Sequence, residues 1–255
     1  MSSIFELAPQ FQVSNSYWAA AFFGAFLIGI SKAGIKGITI ITVTILAFVF
    51  ESQASTGIVL PMLMLGDLMA VIYYNRHAQW KYLLKLLPWM MIGVMVGTFV
   101  GKDLLPSTFK KGMAFIILLS VVMMFWWENR KVKTVPTNWW FGTTMGFAAG
   151  FTTMLGNLAG AFTNIFFLAM RMPKEQFIGT AAWLFFIINI FKLPFHLFSW
   201  ETISVESLAV NLRLFPGILL GFWMGIHLVK RIKNDQYRKM ILVLTAIGAI
   251  LIFFK

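Results

Sequence analysis

Long apolar runs recur along the whole chain, and they restrict its fold more than any other feature. Eight segments lie at about 17–50, 57–75, 82–101, 109–127, 139–170, 178–199, 208–230 and 237–254. A helix needs roughly 20 apolar residues to cross the hydrocarbon core of a bilayer. Because these segments follow one another throughout the chain, we expect an all-α integral membrane protein with a single transmembrane domain over residues 1–255.

The charged residues are few, and most of the basic ones lie in short connectors. Asp, Glu, Lys and Arg make up 12% of the chain, against about 25% in soluble domains. The net charge of +12 therefore indicates membrane orientation by the positive-inside rule and not nucleic-acid binding. Residues 1–16 contain Glu6 but no Lys or Arg, unlike the basic start of a signal peptide, so we expect the helices themselves to direct insertion.

The first and fifth segments are too long for one span, at about 34 and 32 residues where roughly 20 suffice. Each is interrupted near its middle by small or polar residues, at 31–37 and at 150–160. Each therefore predicts two shorter helical pieces around a break, which either cross the membrane or re-enter it.

The two halves of the chain resemble each other. A shift of 122 matches Gly24, Gly34, Ala47, Gly57 and Asp67 with Gly146, Gly156, Ala169, Gly179 and Asn189. A shift of 124 matches Gly93, Gly97 and Gly101 with Gly217, Gly221 and Gly225. We interpret residues 17–127 and 139–254 as two repeats joined at 128–138, with glycines such as Gly93 serving close helix packing.

The charges of the connectors favour an inverted relation between the repeats. If each long segment goes in and comes back, twelve basic residues lie on one side: Arg76, Lys81, Arg130, Lys131, Lys133, Arg171, Lys174, Lys230, Arg231, Lys233, Arg238 and Lys239. Four lie on the other: Lys102, Lys110, Lys111 and Lys255. A single crossing gives a weaker division of ten to six. We therefore expect inverted-topology repeats in the cell membrane, with both termini outside.

Paired breaks at membrane depth predict a central binding site. Backbone groups freed from a helix survive there only inside protein or beside a water-filled cavity. The candidate substrate-binding residues are Lys32, Gly34, Lys36 and Gly37 in the first break, and Thr152, Thr153, Gly156 and Asn157 in the second. Ammonium, hydroxyl, amide and open backbone N–H groups together suit a small oxyanion.

Other polar residues inside the spans each allow more than one role. Asp67 lies within the second segment, where it either forms an ion pair with a lysine or changes protonation during transport. Asn189 is its repeat partner. Lys192 and His196, toward the end of a span, are either interfacial or line a pathway.

No catalytic, cofactor or metal-binding pattern stands out. The three histidines have no ligand spacing, cysteine is absent, and no Gly-rich phosphate loop ends in Lys-Ser or Lys-Thr. The sequence therefore favours a protein that is not an enzyme and carries no cofactor or metal.

Three stretches carry a resemblance to a known family: Gly29–Gly37, Thr56–Pro61, and Asp67 followed by Arg76, His77 and Trp80. They resemble the TauE/SafE family of sulfite and organosulfonate permeases over nearly the whole chain. The second repeat departs from the glycine-rich opening, since 155–160 lacks a lysine.

The resemblance implies secondary transport of small sulfur-containing anions, such as sulfite, sulfoacetate or other organosulfonates, by alternating access around a midplane site. A carrier or channel for a carboxylate or a neutral thiol compound is the alternative, and an intramembrane enzyme a weaker one. The expected partners are a small anionic solute and the lipid bilayer, and no nucleic acid. Coupling of transport to protons and assembly into a homo-oligomer are both compatible with the sequence.

Overall fold

The computed structural model describes residues 14–50, 52–105, 107, 108, 111, 112, 115, 118, 119, 122 and 138–253, and it is helical without strands in that part. The helices are α1 (Asn15–Lys32), α2 (Ile38–Val49), α3 (Ser52–Tyr74), α4 (Trp80–Lys102), α5 (Trp139–Gly156), α6 (Ala159–Ala169), α7 (Lys174–Pro194), α8 (Val205–Arg231) and α9 (Asn234–Phe253). A 3₁₀ turn follows α3 at Asn75–His77, and a π-helical turn extends α7 over Phe195–Ser199. Most of the predicted segment 109–127 and of the connector 128–138 lies outside the described residues.

Helices of membrane-spanning length are present. Within the described residues, Ser55–His77, Trp80–Lys102, Lys174–Ser199 and Val205–Arg231 are long and apolar enough to cross a bilayer. Ile72, Phe99, Leu212 and Trp223 on these helices are between 66% and 76% exposed. Large apolar side chains are costly to expose to water, but contact with lipid tails carries no such cost. The chain is thus a multi-pass membrane protein.

The interruption predicted at 31–37 is present, and it turns the chain back on itself. Gly34 and Gly37 have φ angles of 129° and 98°, a region that residues with side chains rarely adopt, so α1 ends before them. Gly24 packs against Leu46, although a straight helix would separate the two by about 33 Å. We call α1 and α2 the first hairpin and residues 33–37 the first tip.

The second interruption is shorter than the predicted range 150–160. Helix α5 continues through Gly156, and Thr152 remains satisfied inside it, because its hydroxyl donates to the Ala148 carbonyl one turn earlier. The helix ends at Asn157, whose left-handed φ of 56° caps it. Phe141 and Phe166 then stack with ring centroids 5.8 Å apart, so α6 folds back along α5. We call α5 and α6 the second hairpin and residues 157–158 the second tip.

Close helix contacts hold the hairpins against the long helices. Helix α1 packs on α8, and α4 packs on α5. Gly57 at the start of α3 lies against Thr202 beyond the end of α7, while Gly179 near the start of α7 lies against Tyr74 at the end of α3. Helices α3 and α7 therefore run antiparallel beside each other, with the hairpins around them.

The tightest of these contacts give a prediction for stability. We expect Gly150→Ala and Gly221→Ala each to lower the free energy of unfolding by about 1–3 kcal/mol, because a methyl group would overlap the carbonyl oxygen of Met90 or Phe26. Gly142→Ala is the matched control, since its methyl would lie 3.7 Å from the nearest atom. Unfolding midpoints in detergent measure the effect, and equal midpoints for Gly150→Ala and Gly142→Ala would contradict the close approach.

Candidate functional site

Buried polar side chains from both hairpins meet α3 and α7 between the two tips. They surround a cavity of about 30 Å³, which accommodates roughly two water-sized groups. The lining residues are Ser31, Lys32, Lys36, Thr39, Leu63, Thr153, Asn157, Ala159, Gly160, Asn164, Phe185 and Asn189. An adjoining space of about 10 Å³ is lined by Gly37, Thr39, Asn157, Leu158, Gly160, Ala161 and Asn164.

An ion pair joins the first hairpin to the two central helices. The Lys32 ammonium donates to Asp67 Oδ1 at 2.6 Å, and the Asn189 amide donates to Asp67 Oδ2 at 2.8 Å. All three side chains are buried. Gly66 makes this approach feasible, since a Cβ there would lie 2.7 Å from Lys32 Cγ. Both oxygens of the Asp67 carboxylate accept hydrogen bonds, so the charge of Lys32 is neutralised and its side chain is fixed in place. This is the ion pair that one of the two hypotheses for Asp67 described.

The Lys36 ammonium stands apart from that pair. Its side chain is only 3% exposed and lines the cavity, with Nζ 5.7 Å from the centroid of the Phe185 ring. Among the residues that the structure describes, no carboxylate forms a salt bridge with it, because Asp67 is bonded to Lys32 and Asn189. The aromatic face stabilises a cation only weakly. A buried ammonium in this position is suited to binding an anion.

A third lysine supports the second tip. Lys192 Nζ donates to Asn157 Oδ1 at 2.6 Å and to Thr153 Oγ1 at 3.3 Å, and its side chain is fully buried. His196 is also fully buried, with Nδ1 2.8 Å from Thr202 Oγ1. Both side chains are thus buried inside the protein, where α7 packs against α3 and α4, and neither lies on the outer surface of the helices as a snorkelling side chain would.

Side chains from other helices satisfy the backbone that the breaks set free. The Tyr74 hydroxyl donates to the Ala33 carbonyl at 2.8 Å, and the Tyr237 hydroxyl donates to the Gly34 carbonyl at 2.7 Å. At the second tip, Asn157 Nδ2 donates to the Thr56 carbonyl of α3 at 3.2 Å. The two tyrosine bonds remove the cost of unpaired carbonyls in the first tip at membrane depth, and the Asn157 bond attaches the second tip to α3.

The structure brings together only some of the predicted binding residues. Lys32, Lys36, Thr153 and Asn157 line the cavity, and Gly37 lines the adjoining space. Asn189, predicted as a possible pathway residue, lines the cavity as well. Three predicted residues lie away from both. Gly34 packs on Ile178 and Val229, Thr152 bonds to its own helix, and Gly156 ends α5.

Asn164 is a cavity residue that the sequence reasoning missed. It lines both spaces, it is 3% exposed, and its Oδ1 has no hydrogen-bond partner in the described part of the chain. Its signal in the sequence is a polar amide within the otherwise apolar stretch of α6, which is a reason to suspect function in a membrane helix.

The electrostatics of the site favour an anion. Helices α2 and α6 both begin at the cavity, and neither has a side-chain cap at its N terminus, so both present the positive ends of their dipoles. Lys36 and Lys192 add ammonium groups whose described contacts are neutral. No cluster of three or more His, Cys, Asp or Glu residues suited to a metal occurs in the described ranges.

Comparison with known proteins agrees with this chemistry. The model of the family described as Sulfite exporter TauE/SafE matches residues 20–252, which include both tips, the second hairpin and all but the first five residues of the first hairpin. No curated protein and no solved structure matches the chain. The family match confirms the resemblance carried by residues 29–37 and 56–61, and it implies a membrane transporter of sulfur-containing anions in the broad sense. The chain therefore belongs to the sulfite exporter TauE/SafE family.

Proposed function

We propose that the chain is a secondary transporter of the cell membrane that binds a small sulfur-containing oxyanion between the two hairpin tips and exposes it alternately to either side. The observation that carries this proposal is the Lys36 ammonium, which is buried beside a polar cavity and has no carboxylate partner among the described residues. An anion that entered the cavity would supply the missing partner.

Each lining group has a distinct role in the proposed site. Lys36 supplies the charge-assisted hydrogen bond. The oxygen of Thr153 accepts from Lys192, which leaves the hydroxyl proton of Thr153 free to donate to the anion. The Asn164 amide and the N termini of α2 and α6 contribute neutral donors. Several donors together can replace the hydration shell that an oxyanion loses when it leaves water.

The size of the cavity favours the smallest member of the substrate class. About 30 Å³ accommodates roughly two water-sized groups, so a pyramidal trioxyanion such as sulfite, with four non-hydrogen atoms, requires the least widening of the site. Sulfoacetate and other organosulfonates carry an additional carbon chain, so they require a wider conformation of the same site. We therefore propose sulfite as the substrate to test first, with longer sulfonates as weaker ligands.

Matching contacts in the two halves support an inverted repeat. Gly101 packs on Leu155, and Gly225 packs on Ala33; the two glycines are 124 residues apart, and Ala33 and Leu155 are 122 apart. Asp67 bonds to Asn189, its own repeat partner 122 residues on. A residue can contact its repeat partner only near the two-fold axis that relates the repeats. Helices α3 and α7 are also equivalent in the two repeats, and they run antiparallel. An axis in the membrane plane through the site accounts for these contacts.

The inverted arrangement leads to a prediction about sidedness. If the hairpins go in and come back, position 103 lies outside and position 236 lies in the cytoplasm, as the positive-inside count favours. If the long segments crossed once, the two positions would share a side. In this Cys-free chain, we expect an impermeant maleimide on intact cells to label Asp103→Cys and to label Gln236→Cys only after permeabilisation. Labelling of both positions, or of neither, before permeabilisation would place them on the same side and contradict the arrangement.

A ligand screen tests the proposed substrate class. A ligand that binds the folded state stabilises it by mass action, by about 2.7 kcal/mol at one hundred times its Kd. We expect sulfite to raise the unfolding midpoint of the purified protein more than sulfoacetate or taurine, and dicarboxylates to have little effect. Stabilisation by dicarboxylates or by neutral thiols, without any by sulfite, would contradict the proposal.

A further inference from the structure

A second, larger cavity lies at the ends of four helices, away from the proposed transport site. Its volume is about 250 Å³, and its lining residues are Leu168, Arg171, Met172, Pro173, Lys174, Phe177, Asn234, Asp235, Tyr237 and Arg238. Helix α6 ends and α7 begins on one side of it, and α8 ends and α9 begins on the other. Because the ends of spanning helices lie at the membrane surface, this cavity faces the headgroup region.

The lining of this interfacial cavity is cationic. It contains Arg171, Lys174 and Arg238 against one carboxylate, that of Asp235. Arg171 adopts a left-handed φ of 53°, a conformation that an arginine rarely adopts without support from its surroundings. Three cations against one anion give the cavity an excess of two positive charges.

Hydrogen bonds between the two connectors build the cavity into a defined shape. Lys174 Nζ donates to the carbonyls of Val229 and Ile232 at 3.0 and 2.7 Å, at the C-terminal end of α8. The Lys174 backbone N–H donates to Asn234 Oδ1 at 3.1 Å, and Arg238 donates to the Leu168 carbonyl at 3.2 Å. Lys174 and Arg238 are thus placed by bonds to backbone carbonyl groups, and these bonds do not neutralise their charge.

We propose that this interfacial cavity binds a phosphate group, carried by the headgroup of an anionic phospholipid or by free phosphate. Phosphate oxygens accept several hydrogen bonds at once from arginine and lysine, and basic pockets between membrane helices suit anionic headgroups. The volume fits a headgroup, and an acyl chain would remain in the bilayer. This assignment goes beyond the proposed transport function and does not depend on which anion is transported.

The cavity is connected to the transport site through one side chain. Tyr237 lines the cavity, and its hydroxyl donates to the Gly34 carbonyl at the first tip, two residues before Lys36. A phosphate held beside Tyr237 and Arg238 would fix the first turn of α9 and therefore the tip. The bound headgroup would in this way stabilise the hairpin that carries the free ammonium.

The binding experiment uses the full-length protein in detergent, titrated with phosphatidylglycerol, phosphatidylcholine or inorganic phosphate and read by native mass spectrometry and thermal stability. We expect phosphatidylglycerol to bind more tightly than phosphatidylcholine, whose choline would meet the cations. Saturation by inorganic phosphate alone would assign the cavity to free phosphate. Equal binding of both lipids, with no effect of phosphate, would overturn the proposal.

Four variants identify the cavity as the binding site. Arg171→Gln and Arg238→Gln should each weaken phosphatidylglycerol binding about fivefold. Lys239→Gln removes an exposed charge on the same face outside the lining, so it should leave binding unchanged. Asp235→Asn should strengthen binding, which a variant that only loosened the fold would not do. Weaker binding in Asp235→Asn, or equal losses in Lys239→Gln and Arg171→Gln, would overturn the assignment.

Discussion

Replacing Lys36 with methionine is expected to weaken sulfite binding by roughly one to two orders of magnitude, since a charge-assisted hydrogen bond contributes about 1.5–3 kcal/mol. Methionine retains an unbranched apolar side chain that can pack against Phe185, while the ammonium is lost. The Kd follows from ligand-induced stabilisation of purified, correctly inserted protein. Lys81→Met, at an exposed position of α4, is the matched control and should bind sulfite as the parent does.

The arginine variant separates a requirement for charge from a requirement for shape. Lys36→Arg keeps the positive charge but places a larger planar group in a cavity of about 30 Å³. We expect it to rescue binding only in part, because the guanidinium occupies the space that the anion needs. If Lys36→Met and the parent bind sulfite equally well, Lys36 does not contact the ligand and the site lies elsewhere.

The Asp67→Asn variant is expected to show the largest loss of stability together with a loss of concentrative uptake. Removing one member of a buried ion pair costs about 3–5 kcal/mol, because the remaining charge has no counterion. Asp67 is fully buried and makes the carboxylate contact of Lys32 at 2.6 Å. Asn189→Ala, which removes only a neutral hydrogen bond to the same carboxylate, is the milder control.

A double variant distinguishes the structural from the functional role of this pair. Replacing a whole buried ion pair by neutral groups is often nearly neutral for stability, so Lys32→Met with Asp67→Asn should recover most of the unfolding midpoint that Asp67→Asn loses. We predict that uptake against a gradient is not recovered, since neither the carboxylate nor its lysine is present. Full uptake against a gradient in Asp67→Asn would contradict a role for Asp67 in coupling.

Much of the architecture could be predicted because breaks and spans are local properties of the sequence. The apolar runs indicated membrane helices, and Gly34 and Gly37 marked the first break, since few other residues adopt their φ angles. The second break was predicted too long, because small and polar residues such as Gly150 and Thr152 also occur within helices when their groups are packed or bonded. Composition does not distinguish a helix that packs closely from one that ends.

The arrangement of the site was harder to predict, because it depends on how each helix is rotated about its axis. Thr152 and Thr153 are neighbours in sequence, yet Thr152 bonds to its own helix and Thr153 lines the cavity. Lys192 bonds to Asn157 of the second tip because α7 packs between α3 and α4 with that side chain turned inward. That packing is set by contacts between residues distant in the chain, which a single sequence does not reveal.

The central claim, that a sulfur oxyanion binds at Lys36 between the hairpin tips and is carried across the membrane, is tested most directly by counterflow in proteoliposomes. Vesicles containing the parent protein and loaded with unlabelled sulfite should accumulate external radiolabelled sulfite transiently above equilibrium. Vesicles containing Lys36→Met at equal density should show little accumulation, and those containing Lys81→Met should match the parent. Absence of sulfite counterflow in the parent, or equal counterflow in Lys36→Met, would contradict the account.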